Sequence, residues 1–430
     1  MNRTPSRNEV CEDYALSLLT AGQSTEAEPI EGLAQSYLLV TFIPCYRDKT
    51  GARWLDQAWH HDLMEHLKYL RNFTLCAPVL PKGAEQNLVR VEDQKSVLLR
   101  YVDLPPQNSL LQAAAALPRT LVSLWCAIGK SEIVHSGVIG WPYPLGWIAN
   151  PVAIVRGKGL VIVVESSWLR GDRSKKSQNW KIRALNAVTE FAARWSCARA
   201  NVSLFTHSTY RNALRCGSRG NSYVTPAVWV NEADILDGAH AESSWQRKIA
   251  QPVRMLFAGR LVLGKGVDVL LAALRLLDDQ GVNAYVDIIG QGDRRQTCER
   301  AARSFLNARV SVLDPVPYGA LFFELVRAYH VLLLPSLTDE QPRVIFDANS
   351  QAVPVIASDT PGIRPHVDHD RTGWVVPSGH PGLLAIMLKR AIANAADLHR
   401  MGMAALARAH VHTHTAMHRT RCQILKRHFA

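Results

Sequence analysis

The sequence predicts an α/β chain folded as two Rossmann-like, parallel-sheet domains. Three observations carry this: apolar runs without polar alternation, a strand-then-helix pattern that restarts in the second half, and a length of 430 residues. Runs such as VLLLP (331–335) and VPVIAS (353–358) lack the alternation of a half-exposed strand, as expected where helices cover both faces of a parallel sheet. A chain of this length exceeds one ordinary domain, so two are expected. Apolar residues make up 47% and charged residues 20%, which suits packed cores and not a disordered chain.

Residues 1–35 are polar with little periodicity and read as a flexible N-terminal tail. The first domain is placed at 36–230. SYLLVTFIP (36–44) reads as a buried strand, 55–70 as a helix, and FTLCAPVL (73–80) as a second strand. LLQAAAALPRTLVSLWCAIG (110–129) is interrupted by Pro118 and Arg119 and reads as a core helix, not a membrane span. EIVHSG and LVIVVESS, within 131–168, are two further strands with a helix between them, followed by VSLFTHS (202–208) and SYVTPAV (222–228). Residues around 230–252 read as the interdomain link, 245–409 as the second domain, and 410–430 as a basic C-terminal helix. MNRTPSRNEVCEDYALSLL places acids where a signal peptide needs an apolar core, so a cytoplasmic protein is expected, soluble or peripherally attached to a membrane. Eight cysteines without C-x-x-C pairs fit reduced, buried thiols.

The second half carries the chemistry. Between VLLLP and VPVIAS, VIFDANSQA is too short and dense for a loop and reads as a crossover helix beginning near Pro342 or Arg343. Its first amides, including those of Arg343 and Val344, and its dipole favour an anion. Asp347, about one turn in, accepts hydrogen bonds from sugar or ribose hydroxyls on one reading and is a solvated helix residue on the other. Asp339 and Glu340 follow the strand's carboxyl end, where open parallel sheets bind ligands; Asp339 could equally cap the helix. RMLFAGRLVLGKGVDVLLAALRLL (254–277) reads as strand, turn and helix, with Arg260 and Lys265 flanking a loop that holds Gly259, Gly264 and Gly266. Glycines admit a ligand close to the backbone, and the two cations can neutralise a diphosphate; the alternative is solvated surface charge. The G-x-x-x-x-G-K-[ST] spacing is absent, so this is not a Walker loop.

Taken together, AGRLVLGKGVDVLLAA, the IIGQGD strand-turn with Gly290, and PSLTDEQPRVIFDANSQAVPVIASDTPGI resemble, in order and spacing, the family 4 retaining glycosyltransferases (glycosyl transferases group 1). The resemblance covers about 253–377 and implies a GT-B fold, in which two Rossmann-like domains face each other across a cleft. It implies that Arg260 and Lys265 hold the diphosphate of a nucleoside diphosphate sugar donor. The family's two glutamates, one for the donor sugar and one for the ribose, fall on Asp339 and Asp347, with Glu340 a substitute for the first by a one-residue shift. It further implies hexosyl transfer to a glycan or lipid-linked acceptor, with no protein nucleophile, metal or cofactor. His135 resembles the family's histidine at the end of a strand and could bond the sugar or acceptor, or be structural; Glu165 is a second candidate. A sugar-nucleotide epimerase and a non-catalytic glycan-binding protein are the rival readings.

The formal charge of +12 implies an anionic partner. Dispersed basic residues and no recognisable nucleic-acid motif point away from nucleic acid. The basic segment LRGDRSKKSQNWKIR (169–183) could meet anionic lipid or an acceptor phosphate, or be a solvated loop. Two metal-like patterns are discounted. Asp368-His369-Asp370 lies in turn chemistry, and AHVHTHTAMH (409–418) lacks a glutamate at H-E-x-x-H spacing and reads as a polar helix face.

Overall fold

The computed structural model describes residues 32–83, 87–92, 97–168, 180–214, 221–338 and 341–430. They divide into two compact units: the first takes the described residues up to Pro226 together with Met417–Ala430, and the second takes those from Ala227 to Ala416.

In the first unit the strands are β1 (Leu33–Val40), β2 (Cys45–Arg47), β3 (Arg53–Asp56), β4 (Leu70–Pro81), β5 (Leu88–Arg90), β6 (Leu98–Leu104), β7 (Ile133–Gly137), β8 (Gly159–Val164), β9 (Val202–Phe205) and β10 (Ser222–Val224). The main run, β10-β9-β8-β7-β1-β4, is parallel throughout, and β6 pairs parallel with β4. Successive β1 side chains alternate between two cores. Leu38 and Val40 pack beneath the helices Leu110–Gly129, Gly146–Val155 and Trp180–Arg199, while Tyr37 and Leu39 pack with the helices Gln57–Leu67 and His414–Phe429.

Three readings of this half change. Between the strand at 36–44 and the helix, a stretch to which no element was assigned folds as the antiparallel β2–β3 hairpin, because Asp48 accepts from the amides of Thr50 and Ala52 and closes the turn. The helix expected at 55–70 is Gln57–Leu67, started by the Asp56 carboxylate on the Ala58 amide at 3.0 Å. The helix Leu110–Gly129 is capped by Ser109, but it is not a core helix. It buries a narrow stripe of small residues and Leu124 and leaves Leu110, Leu111, Val122 and Trp125 exposed. Its length and hydropathy would allow it to cross a membrane, but it packs on the sheet of this unit instead.

The second unit holds β11 (Arg254–Ala258), β12 (Tyr285–Ile289), β13 (Arg309–Leu313), β14 (Val331–Leu334), β15 (Val355–Ser358) and β16 (Gly373–Val376). Their order, β13-β12-β11-β14-β15-β16, is all parallel and reverses between β11 and β14. Ligands bind outside the carboxyl ends of such a sheet at that reversal.

The segment around 230–252 is not a link. It begins inside the second unit and forms the helix Gly238–Lys248, which Asp237 caps through the amides of Ala239 and His240. Trp245 is fully buried and its Nε1–H donates to the Ala352 carbonyl at 2.9 Å; Lys248 Nζ donates to the carbonyls of Arg327 and Tyr329. The unit thus starts at Ala227, ahead of the expected 245. The C-terminal helix His414–Phe429 contributes Met417–Ala430 to the first unit, where Cys422, Ile424 and Leu425 join the core. Trp245→Ala should cost the second unit about 3–5 kcal/mol, read as a lower urea midpoint for its transition; an unchanged midpoint would return the segment to the status of a linker.

Candidate functional site

In the second unit, the loops leaving β11, β12 and β14 meet backbone to backbone. Gly290, after β12, sits so close to the Gly259 carbonyl that a Cβ would lie 1.9 Å from its oxygen. Gly266 has φ +71° and a Cβ there would lie 1.7 Å from the Pro335 carbonyl oxygen, so only glycine fits. Main-chain bonds lace the loops: Leu261 N–H to the Gln291 carbonyl at 2.8 Å, Arg294 N–H to Leu261 at 2.9 Å, and Leu337 N–H to Gly264 at 2.9 Å. Arg260, exposed, and Lys265, half-buried in the 3-10 turn Leu263–Lys265, are carried on this frame. Both cations therefore stand at the carboxyl edge of the sheet beside the β11/β14 reversal.

The crossover helix is Val344–Ser350. The amides of Ile345 and Phe346 already bond to the carbonyls of Pro342 and Arg343, so donation to an anion at this end falls to Arg343 and Val344. Arg343 lies over the Trp229 ring, 4.5 Å from its centroid. Asp347 is buried, not a solvated helix residue, and its Oδ1 accepts the Tyr318 hydroxyl at 2.9 Å. Burial pushes its pKa up to about 7, against the opposing pull of the Tyr318 hydrogen bond and Arg343. Asp339 and Glu340 lie outside the described residues, as do 169–179 of the basic segment.

The first unit has its own pocket, at the carboxyl ends of β1, β7 and β8, lined by His135, His66, Asp62, Trp59, Glu165 and Arg421 among others. His135 is buried with its Nδ1 2.9 Å from the Tyr37 hydroxyl, and burial, then His66 and Arg421, hold its pKa well below the usual value. Its imidazole is neutral at physiological pH. Asp62 and His66, four apart on one helix, join His418 from the C-terminal helix, with donor atoms within 4.8 Å of one another. By donor type this trio could hold a divalent cation. Its atoms already satisfy each other: His418 Nε2 is 3.1 Å from Asp62 Oδ1, His66 Nδ1 is 3.2 Å from Asp62 Oδ2, and the Tyr69 hydroxyl is 3.1 Å from His418 Nδ1. Arg421 is buried and directs Nη2 to Glu165 at 3.5 Å.

Sequence reading named His135 and Glu165 and discounted the run that holds His418, but missed Asp62, His66 and Arg421. Asp62 and His66 had a signal, the D-x-x-x-H spacing of one helical face; His418 and Arg421, far away along the chain, had none. The 409–418 histidine run is not one helix face, because His410 and His412 precede the helix that starts at His414. The acids of 368–370 are engaged: Asp368 with Arg408 at 2.7 Å, and Asp370 with the Trp374 indole at 2.8 Å.

Residues 252–394 match the family described as glycosyl transferases group 1. The amylovoran biosynthesis glycosyltransferase AmsK of Erwinia amylovora is 33% identical over 41% of this chain, a match that spans 45% of AmsK. D-inositol 3-phosphate glycosyltransferases of Streptomyces avermitilis and Streptomyces scabiei are 31% and 32% identical, each over 74% of this chain and over 72% and 74% of their own lengths. Among solved structures, the sucrose-phosphate synthase of Thermosynechococcus elongatus aligns with a TM-score of 0.67 at 15% identity, over 91% of this chain and 98% of that one. Anabaena HepE in complex with UDP aligns with a TM-score of 0.61 at 14% identity, over 90% and 98%. The two parallel-sheet units, the glycine loops and relatives matched over about three quarters of the chain agree: this chain belongs to the glycosyl transferases group 1 family and has the GT-B fold.

Proposed function

We propose that this glycosyltransferase is a retaining, metal-independent member of family 4 that moves a hexosyl group from a nucleoside diphosphate sugar to a hydroxyl of a glycan or lipid-linked acceptor. Its relatives' printed roles favour bacterial exopolysaccharide, lipopolysaccharide or other glycoconjugate assembly as the setting. The observation that carries the reading is the laced glycine frame holding Arg260 and Lys265 at the β11/β14 edge, with Asp347 buried behind it.

On this reading Arg260 and Lys265 grip the diphosphate and stabilise the charge that develops as the anomeric carbon–oxygen bond breaks, the largest expected contribution to rate. The amides of Arg343 and Val344 add donors at the same edge. Asp347 accepts from the ribose, and Asp339 or Glu340 from the sugar. The acceptor oxygen attacks the face the diphosphate leaves, and its proton passes to a leaving phosphate oxygen. A neutral His135, held by Tyr37, orients a hydroxyl instead of taking its proton. Placement in the cytoplasm, peripheral to the inner membrane face, belongs to the same proposal.

Two outcomes test it. A panel of nucleoside diphosphates and their sugars, headed by the UDP and UDP-glucose that HepE holds, should raise the melting temperature in the presence of EDTA. A ligand at 100 times its dissociation constant adds about 2.7 kcal/mol, and Arg260→Ala/Lys265→Ala should abolish the shift; stabilisation that survives in the double variant would sink the donor assignment. Asp347 gives a pH test. Because its folded pKa is raised, its contribution is present below the unfolded value near 4 and is lost as pH rises through about 7. Asp347→Asn should therefore be more stable than the wild type at pH 8, by as much as about 4 kcal/mol, with the gap closing towards pH 4. A gap that ignores pH would show that the carboxylate is ionised and compensated.

A further inference from the structure

We propose that the outer face of the three-helix layer in the first unit is a docking surface for an anionic lipid bilayer. The inference rests on the peripheral membrane placement proposed above and names the surface that would provide it, and its test reads this unit apart from the donor site. The helices Leu110–Gly129, Gly146–Val155 and Trp180–Arg199 share the core beneath one face of the sheet, so their opposite sides form one outward surface. That surface is apolar where a soluble layer is ordinarily polar. Leu111 is 85% exposed, Val155 76%, Phe191 71% and Val122 65%, and Trp125 and Trp180 are also exposed.

Charge on the same helices decides what covers it. Across all three there is one acidic residue, Glu190, and its carboxylate is occupied by Arg194 at 2.7 Å. Arg119, Lys181, Arg183, Arg194 and Arg199 are exposed on the same helices. A basic, acid-poor surface studded with large apolar side chains suits a bilayer with anionic headgroups: the apolar groups enter the acyl boundary and the cations stay among the phosphates. A second copy of this chain would bring like charge against like. Leu110–Gly129 meets the length and hydropathy of a spanning helix, yet Ala113, Ala116, Leu124 and Ile128 tie it to the sheet, so it lies along the interface.

The topology gives the surface a purpose. A helix that follows a parallel strand starts at that strand's carboxyl end. Leu110 and Trp180, which open two of the helices, follow β6 and β8 and so stand at the sheet edge where the His135 pocket opens. Docking here would hold the pocket at the bilayer surface, within reach of a membrane-anchored acceptor.

The test is co-sedimentation of the full chain with vesicles of phosphatidylcholine alone or with phosphatidylglycerol. The expected result is partition onto the anionic vesicles that weakens as salt rises and falls about tenfold or more in Leu111→Glu/Val122→Glu. Both sites are exposed, so circular dichroism and donor-induced stabilisation should be unchanged in this variant, which separates failure of docking from failure of the donor site. Ile386→Glu, an exposed apolar site in the second unit, should partition like the wild type. Equal partition of wild type and the double variant would overturn the proposal. A concentration-dependent dimer in sedimentation velocity, lost in the double variant, would also overturn it and assign the face to self-association.

Discussion

The second unit of this protein depends on backbone meeting backbone at the carboxyl edge of its sheet. Where Gly290 lies on the Gly259 carbonyl and Gly266 on that of Pro335, a single methyl would collide, so the loops are held by main-chain hydrogen bonds and not by side-chain packing. Three strands are locked into one edge in this way. The consequence is electrostatic: the backbone that carries Arg260 and Lys265 is fixed before any ligand arrives. A cation on a pre-organised frame costs little reorganisation when charge develops beside it, which is how such groups lower a barrier.

The first unit solves the opposite problem with opposite means. Its pocket is built from side chains, most of them titratable, and the long-range partners from the C-terminal helix complete it. Burial keeps His135 and His418 neutral, since their pKa values are driven well below the usual range. A histidine so shifted is a weak base. On the proposed reading, this fits a route in which the acceptor proton goes to the leaving phosphate and not to His135.

How much of this was legible in the sequence follows from the range of each interaction. The second unit was readable because its site is local: strand, glycine turn and helix follow one another within 254–277, and again across 331–358, and unalternated apolar runs mark both. The helix Gly238–Lys248 was misread as a link because it is polar on average and its anchor is one tryptophan whose partner, Ala352, lies far along the chain. The first unit's pocket was mostly hidden, since Asp62 and His418 meet across most of the sequence. The helix 110–129 was misjudged for a different reason. Composition reports that a segment is apolar, but not whether other protein covers it, and here Leu124, Ile128 and small residues are buried while Leu110, Leu111, Val122 and Trp125 face out.

Burial decides when Asp347 can carry charge. At the position where the resemblance expects a glutamate, the aspartate carboxylate is buried and accepts the Tyr318 hydroxyl from another segment, and its pKa rises to about 7. Burial here opposes ionisation, and the Tyr318 hydroxyl only partly offsets it. On the proposed reading, ribose hydroxyls donating to this group would favour the charged form and draw the pKa back down. Donor binding would then be coupled to loss of a proton from the protein near neutral pH. A solvated glutamate, already ionised in the empty site, would carry no such coupling. On the proposed reading, the carboxylate of Asp347 becomes charged as the donor arrives and not before.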